Sequence, residues 1–151
     1  MGNCVFQEVK SKEAGQEDLS SIQTLDDMLF KTSFEKQYVV GRGGFGRVWK
    51  VANKKSKALP SYALKEMSKA RIIAKRSLQS VLMERELLAE VQHPFIVNMK
   101  GAFQDRDNLY LVMDYCAGGD MRYHLPYKFF NEEETRFMVA CLLLGLEQVH
   151  G

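Results

Sequence analysis

The sequence has few cysteines, no long apolar run and almost no excess charge of either sign. Its three cysteines, Cys4, Cys116 and Cys141, are odd in number and far apart, which argues against a disulfide framework and favours reduced thiols in the cytosol. The most apolar stretch, Phe137 to Leu146, is much shorter than the ~20 residues that span a bilayer. No charged-then-apolar secretory signal opens the chain. We therefore expect a cytoplasmic protein, neither secreted nor transmembrane.

The charge pattern argues against a nucleic-acid surface. The net charge is only +2, and basic residues alternate with acidic ones. The basic stretch from Lys65 to Arg76 contains no aromatic residue, so a solvated helix face explains it better. With 151 residues, 46% of them hydrophobic, the chain is long enough for one compact domain and a tail.

The chain divides into a polar tail and a domain. Residues 1 to about 30 are polar without sustained periodicity and predict a mobile tail, and the domain begins near Phe34. A glycine-rich turn separates the first two predicted strands. Strands are predicted around Tyr38–Val40, Val48–Val51, Tyr62–Lys65, Met99–Phe103 and Leu109–Met113.

Two helices are predicted from periodicity and end signals. Apolar residues recur with helical spacing from Leu78 to Val91, and the pattern stops before His93-Pro94. The last helix begins at Asn131, which caps the first turn together with Glu134 in a capping box, and it continues to the chain end.

The glycine cluster satisfies the pattern G-x-G-x-x-G-x-V. It comprises Gly41, Arg42, Gly43, Gly44, Phe45, Gly46, Arg47 and Val48. Positions without side chains let the backbone close over phosphates and present its N–H groups. A plain glycine-rich hairpin is one alternative. A dinucleotide-binding fingerprint is another, but it requires a following helix, whereas Trp49 and Val51 continue as strand.

A lysine that can accompany the glycine cluster at the phosphates lies in the third predicted strand. Ala63-Leu64-Lys65 matches the last three positions of V-A-I-K, and alternation places Ala63 and Lys65 on one face of a strand. The small residue leaves room for adenine and the ammonium reaches the α and β phosphates. A surface lysine is the alternative.

Such a lysine needs a carboxylate to hold it. Glu84 borders the apolar face of the predicted helix, while Glu86 and Glu90 are its competitors.

These motifs together resemble the AGC-type serine/threonine protein kinases, and among them the YANK kinases. The resemblance covers 34–151. Besides the glycine cluster and Ala63-Leu64-Lys65, it rests on Glu84 ten positions before Pro94, on His93–Asn98, on Phe103-Gln104-Asp105 and on Leu111–Leu125.

The resemblance implies an α+β fold, namely a kinase N-lobe with a five-stranded antiparallel sheet and helix C, followed by a hinge and the first helices of an incomplete C-lobe. The N-lobe would span about 34–113, the hinge 114–117 and the start of the C-lobe 118–151. The implied activity is transfer of the ATP γ-phosphate to protein serine or threonine hydroxyls, with Mg²⁺.

The resemblance also implies roles for individual residues. Lys65 and Glu84 form the catalytic ion pair, and Gly41 to Gly46 cover the phosphates. Adenine is bound by the hinge through the carbonyl of Asp114 and the N–H of Cys116. The remaining implied contacts are the gatekeeper Met113, the ring-covering residues Val40, Val48 and Ala63, and the ribose-binding Asp120.

The sequence departs from the family in one respect. It contains neither His-Arg-Asp nor Asp-Phe-Gly, which supply the base and the magnesium ligands. The last helix resembles the family's helix E, so we expect a truncation upstream of the catalytic loop and an inactive chain. The alternative is a non-catalytic module that binds nucleotide or a partner kinase. His93, His124 and His150 lack metal-ligand spacing.

The N-terminus carries a candidate lipid anchor. Met1-Gly2-Asn3-Cys4 exposes a glycine after methionine removal, and Cys4 provides a second site for acylation, as stable anchoring requires. The myristoylation motif also has serine or threonine at position 6, where this chain has Phe6. We therefore expect a cytoplasmic protein that also associates with the inner face of a membrane through its N-terminus.

Overall fold

The computed structural model describes residues 33–54 and 61–150. The predicted mobile tail and the candidate lipidation sites Gly2 and Cys4 lie outside these residues. The elements are β1 (Phe34–Arg42), β2 (Gly46–Asn53), β3 (Tyr62–Ser68), α1 (Lys69–Ala74), α2 (Leu78–Glu90), β4 (Met99–Gln104), β5 (Asn108–Asp114), α3 (Met121–His124) and α4 (Glu132–His150).

The five strands form one antiparallel sheet with the order β1-β2-β3-β5-β4. The predicted fold, a kinase-type five-stranded sheet with helices, is confirmed. Strand β3 lies at the centre, where Lys65 is opposite Val48 on one side and Leu111 on the other. The sheet therefore brings the end of the glycine cluster beside the predicted lysine.

Hydrophobic side chains cover both faces of the sheet. In β5, Tyr110 and Val112 point to one face and Leu109 and Leu111 to the other, as strand alternation requires. The outer cluster contains Val51, Leu64, Phe103, Tyr110 and Val112. The inner cluster, on the face covered by α1 and α2, contains Met67, Ile72, Val81, Leu109 and Leu111. Lys65 shares the inner face with Met67, because the two are separated by one residue.

The basic stretch from Lys65 to Arg76 is only partly the solvated helix that the sequence predicts. Its first four residues continue β3 to Ser68. Residues 65–67 pair with both β2 and β5, and Ser68 pairs with β5. Helix α1 follows, and it is too short to show a periodicity of its own. Ile72 is its buried residue and anchors it in the inner cluster.

Helix α4 begins with the predicted capping box. The N–H of Glu134 donates to Oδ1 of Asn131 at 2.8 Å, and the N–H of Asn131 donates to Oε2 of Glu134 at 3.1 Å. Farther along, a Cβ on Gly145 would lie 3.5 Å from Cγ1 of Ile96, so this helix contacts the loop between α2 and β4. None of the helices within 33–54 and 61–150 is long and apolar enough to cross a membrane.

Candidate nucleotide-binding site

The glycine cluster forms the turn between β1 and β2 and folds against the end of β3. The N–H of Gly43 donates to the carbonyl of Gly46 at 3.0 Å, and the N–H of Ser68 donates to the carbonyl of Phe45 at 3.0 Å. A Cβ on Gly46 would lie only 1.8 Å from the carbonyl oxygen of Glu66. The close approach of two backbones therefore requires glycine at position 46.

The surroundings of Gly43 are different, because a Cβ there would meet no atom within 4 Å. The packing of the turn does not require glycine at this position. Open space above a glycine backbone is what a bound phosphate needs in order to approach the N–H groups. The open side at Gly43 thus leaves room for an anionic ligand beside the loop, although the N–H of Gly43 itself is bonded to Gly46, while glycine at position 46 serves the fold.

Lys65 and Glu84 form the ion pair that the sequence predicts. Nζ of Lys65, on β3, donates to Oε1 of Glu84, on α2, at 2.5 Å. The contacting carboxylate is that of Glu84 and not that of its competitors Glu86 or Glu90. Both side chains are partly exposed, at 25% for Lys65 and 37% for Glu84, so solvent and a ligand have access to the ammonium.

The three residues proposed to cover adenine lie around the same part of the sheet. Val48 pairs with Lys65, and Ala63 lies two residues before Lys65 on the same face of β3. Val40 falls within an irregularity of β1 between Val39 and Gly41, and the residue is 43% exposed. Val48 and Ala63 share the face of the sheet that carries Lys65, and together with the neighbouring Val40 they make up the apolar surface proposed for adenine.

The gatekeeper candidate Met113 occupies the end of β5. It pairs with Ala63 of β3 and with Met99 of β4. It therefore borders Ala63, which is proposed to face adenine, and directly precedes the hinge candidate Asp114.

The hinge candidate Asp114 is fixed by its neighbours. Its N–H donates to the carbonyl of Asn98 at 3.1 Å, and its carboxylate accepts from Nδ2 of Asn98 at 3.1 Å and pairs with Lys100 at 3.0 Å. Burial alone would raise the pKa of this carboxyl, but the hydrogen bonds from Lys100 and Asn98 outweigh it and lower the pKa. The thiol of Cys116 is exposed.

Asp120, the candidate ribose ligand, has a structural contact. Its Oδ1 accepts from the N–H of Tyr123 at 2.8 Å and caps α3. Gly119 before it has a φ of 75°, a conformation that favours glycine. A ribose-binding role for Asp120 remains a prediction.

A family model described as "Protein kinase domain" matches residues 34–151. The chain belongs to the protein kinase family. The curated relatives of this kinase chain include a Dictyostelium discoideum protein named "Probable serine/threonine-protein kinase", 40% identical over 132 residues, which are 87% of this chain and 28% of the relative. The "RAC family serine/threonine-protein kinase homolog" of the same organism is 39% identical over 118 residues, 78% of this chain and 26% of the relative.

A third relative is the "Serine/threonine-protein kinase gad8" of Schizosaccharomyces pombe. It is 40% identical over 119 residues, which are 78% of this chain and 21% of the relative. The kinase chain thus spans about a quarter of the length of the curated relatives it matches.

The family generally uses ATP and Mg²⁺. The residues of this chain suit the nucleotide better than the metal ion. The glycine loop, Lys65 and the apolar surface fit a nucleotide. Magnesium in kinases is held by the Asp of Asp-Phe-Gly and the Asn of the catalytic loop, which the sequence does not contain. Within 33–54 and 61–150, no three His, Cys, Asp or Glu side chains lie together as a metal site.

A cleft of about 340 Å³ lies beside the tip of the glycine loop and is lined in part by Gly43, Phe45 and Gly46. Lys65, Glu84 and Ala63 do not line it, so it shares the glycine loop with the candidate nucleotide site but not the ion pair. Its charged side chains are those of Arg42, Arg47, Glu66 and Arg71.

Two contacts around the kinase site have no counterpart in the sequence-based prediction. The hydroxyls of Tyr38 and Tyr115 lie 3.0 Å apart, with Lys50 above both rings. Nζ of Lys75 donates to the carbonyl of Gly44 at 3.1 Å. Both contacts join segments far apart in the chain, and no local spacing in the sequence indicates them.

Proposed function

We propose that this chain provides the ATP-binding part of a serine/threonine protein kinase that transfers the γ-phosphate of ATP to protein hydroxyls. The observation that carries the proposal is the ion pair of Lys65 with Glu84 beneath the glycine loop. Five neighbouring features serve one ligand: an open phosphate loop, a fixed ammonium, an apolar surface, a gatekeeper and a hinge.

Each group has a physical task toward the nucleotide. The ammonium of Lys65 offsets the charge of the α and β phosphates, and Glu84 holds it so that its position is set before binding. The backbone N–H groups of the glycine loop donate to phosphate oxygens. Val40, Val48 and Ala63 cover the adenine ring, and the backbone of Asp114 and Cys116 binds its polar edge. Phosphoryl transfer rests mainly on such positioning.

The remaining parts of the reaction are proposed to lie outside this sequence. The base that orients the acceptor hydroxyl and both magnesium ligands belong to motifs that these 151 residues lack. The small share of the relatives that the chain covers supports this view.

Within the kinases we propose that the chain belongs to the AGC group, close to the YANK kinases, because its motifs resemble theirs.

Sequencing the full-length transcript separates this proposal from the alternative, a non-catalytic nucleotide-binding or kinase-interacting module. Codons for His-Arg-Asp and Asp-Phe-Gly downstream of Gly151 are expected. A stop codon directly after Gly151 would favour the module.

The ion pair is tested in a polypeptide that carries both lobes. Lys65→Met should abolish phosphate transfer to protein without lowering the melting temperature, because the ammonium acts on the nucleotide. Glu84→Gln should lower transfer by about 10- to 100-fold, whereas Glu86→Gln on the same helix should leave it unchanged. Undiminished transfer in the Lys65→Met protein would sink the assignment.

We also propose that the N-terminus is acylated at Gly2 and Cys4 and holds the otherwise cytoplasmic protein at the inner face of a membrane. One acyl chain gives only reversible binding, so both sites are needed. Mass spectrometry of the N-terminal peptide from native cells decides the matter. An unmodified or acetylated Gly2 would refute the proposal.

A further inference from the structure

Lys75 follows helix α1, and its side chain reaches the tip of the glycine loop. Its Nζ donates to the carbonyl oxygen of Gly44 at 3.1 Å and lies 5.5 Å from the centre of the Phe45 ring. A Cβ on Gly44 would lie 3.3 Å from the same nitrogen, so glycine at position 44 leaves the room that the ammonium occupies. One cation thus contacts two successive residues of the loop.

The loop tip also has an apolar contact with the helices. The Phe45 ring packs against the inner cluster, to which α1 contributes Ile72 and α2 contributes Val81. Its backbone carbonyl accepts from Ser68, the last residue of β3. The tip is therefore attached to the end of β3 and to the inner cluster that α1 and α2 share, and Lys75 provides the charged part of that attachment.

We propose that Lys75 is a positioning residue of the nucleotide site, which holds the glycine loop in place for the phosphates of ATP. The proposal rests on the function proposed above. A loop rich in glycine loses more conformational entropy on ordering than other segments do. A contact that orders it in advance lowers the entropy lost when a phosphate binds, and it thereby strengthens binding.

The expected consequence depends on the ligand. ATP contacts the glycine loop through its phosphates, so its affinity depends on the order of the loop. Adenosine has the same base and ribose but no phosphate, so its affinity depends on the hinge, the apolar surface and the ribose contact, and not on the phosphate loop. Loss of Lys75 should weaken the binding of ATP and spare that of adenosine.

The first experiment measures amide hydrogen exchange in the 151-residue chain without nucleotide. The N–H groups of Gly43 and Ser68 report directly on the loop, because both form hydrogen bonds within or to it. Lys75→Met should speed their exchange about three- to tenfold. This factor corresponds to the stabilisation expected from one such hydrogen bond and cation–π contact. Lys75→Arg retains both contacts and should match the wild type.

Two controls keep this result interpretable. Lys69→Met removes the same charge from helix α1, at a residue whose N–H donates to the carbonyl of Asp107 and not to the loop, and it should have no effect. Exchange in β5 should stay unchanged in every variant, which shows that the fold is intact. Equal exchange at Gly43 and Ser68 in the wild type and in Lys75→Met would overturn the proposal.

The second experiment titrates ATP and adenosine calorimetrically into the polypeptide with both lobes. Lys75→Met should raise the Kd for ATP about three- to tenfold and leave that for adenosine unchanged. An equal effect on both ligands, or none on ATP, overturns the role of Lys75 while the proposed function stands. A wild-type protein that binds neither ligand overturns the proposed function and this inference with it.

Discussion

The hydroxyl of Tyr38 lies 3.0 Å from that of Tyr115, so strand β1 is joined by its side chain to the hinge candidate. The ammonium of Lys50 lies 5.4 Å from the first ring centre and 5.2 Å from the second. Both interactions favour the phenolate of Tyr38. The hydrogen bond with Tyr115 lowers the pKa of Tyr38 below its ordinary value of 10.0, and the charge of Lys50 lowers it further.

We predict that this tyrosine pair titrates in a fixed order. Tyr38 should lose its proton before Tyr115, whose pKa is raised above 10.0 by the same hydrogen bond. Tyr115→Phe removes the bond and should bring the pKa of Tyr38 back toward 10.0. The check is the pH dependence of the Tyr38 ring carbon signal in NMR spectra, with Tyr123→Phe as the control. An unchanged Tyr38 pKa in Tyr115→Phe would contradict the assignment.

Two glycines of the same loop should differ in their effect on stability. Gly46→Ala places a Cβ against the backbone of Glu66 and should lower the free energy of unfolding by about 1–3 kcal/mol. Gly43→Ala places a Cβ in open space and should leave unfolding unchanged while weakening ATP binding. Urea unfolding curves measure the first effect and nucleotide titration the second. Equal unfolding midpoints for the two variants would show that position 46 tolerates a side chain.

Glu66 should make stability depend on acidic pH. Burial alone would raise the pKa of this carboxyl, but hydrogen bonds from Lys36 and Trp49, each at 2.7 Å, lower it below 4.5. Because the folded pKa is lower than the unfolded one, the stabilisation is present above about pH 4.5 and is lost as the pH falls through the folded value. The melting temperature of Glu66→Gln should therefore fall less steeply below that pH than that of the wild type. Parallel curves would rule out this contribution.

The 151-residue chain alone should transfer no phosphate. It provides the nucleotide loop and the ion pair but neither the base nor the magnesium ligands. Because positioning and electrostatics supply most of the acceleration of phosphoryl transfer, the loss of these groups should stop the reaction. A radiolabelled-phosphate assay with a generic basic substrate, beside a blank without protein, checks this. Transfer clearly above the blank would mean that other residues of the chain supply the missing groups.

The sequence predicts the sheet and the two longer helices because their signals are local. Strand alternation, the proline after His93 and the capping box of Asn131 each act within a few residues. The pair of Lys65 and Glu84 could also be predicted, since the family motif sets the spacing of both residues.

Helix α1 and the contacts of the loop could not be predicted in this way. Helix α1 is stabilised by the burial of Ile72 against residues distant in sequence, not by its own periodicity. Lys75 and Lys36 reach their partners through long side chains on exposed positions, where many directions are open to them. Only the fold decides which partner they contact.

The attachment of Asp114 and Tyr115 to the sheet determines where the two lobes can bend. Asp114 is fixed by Asn98 and Lys100, and Tyr115 by Tyr38, so both move with the N-lobe. Cys116, Gly118 and Gly119 have no such bond to the sheet and form a turn of their own, in which the N–H of Gly119 donates to the carbonyl of Cys116 at 3.4 Å. We therefore expect any rotation of the lobes to begin after Tyr115, at the backbone proposed to bind adenine. A bound base would then lie close to the rotation axis, and the phosphates at the far end of the nucleotide would undergo the larger displacement.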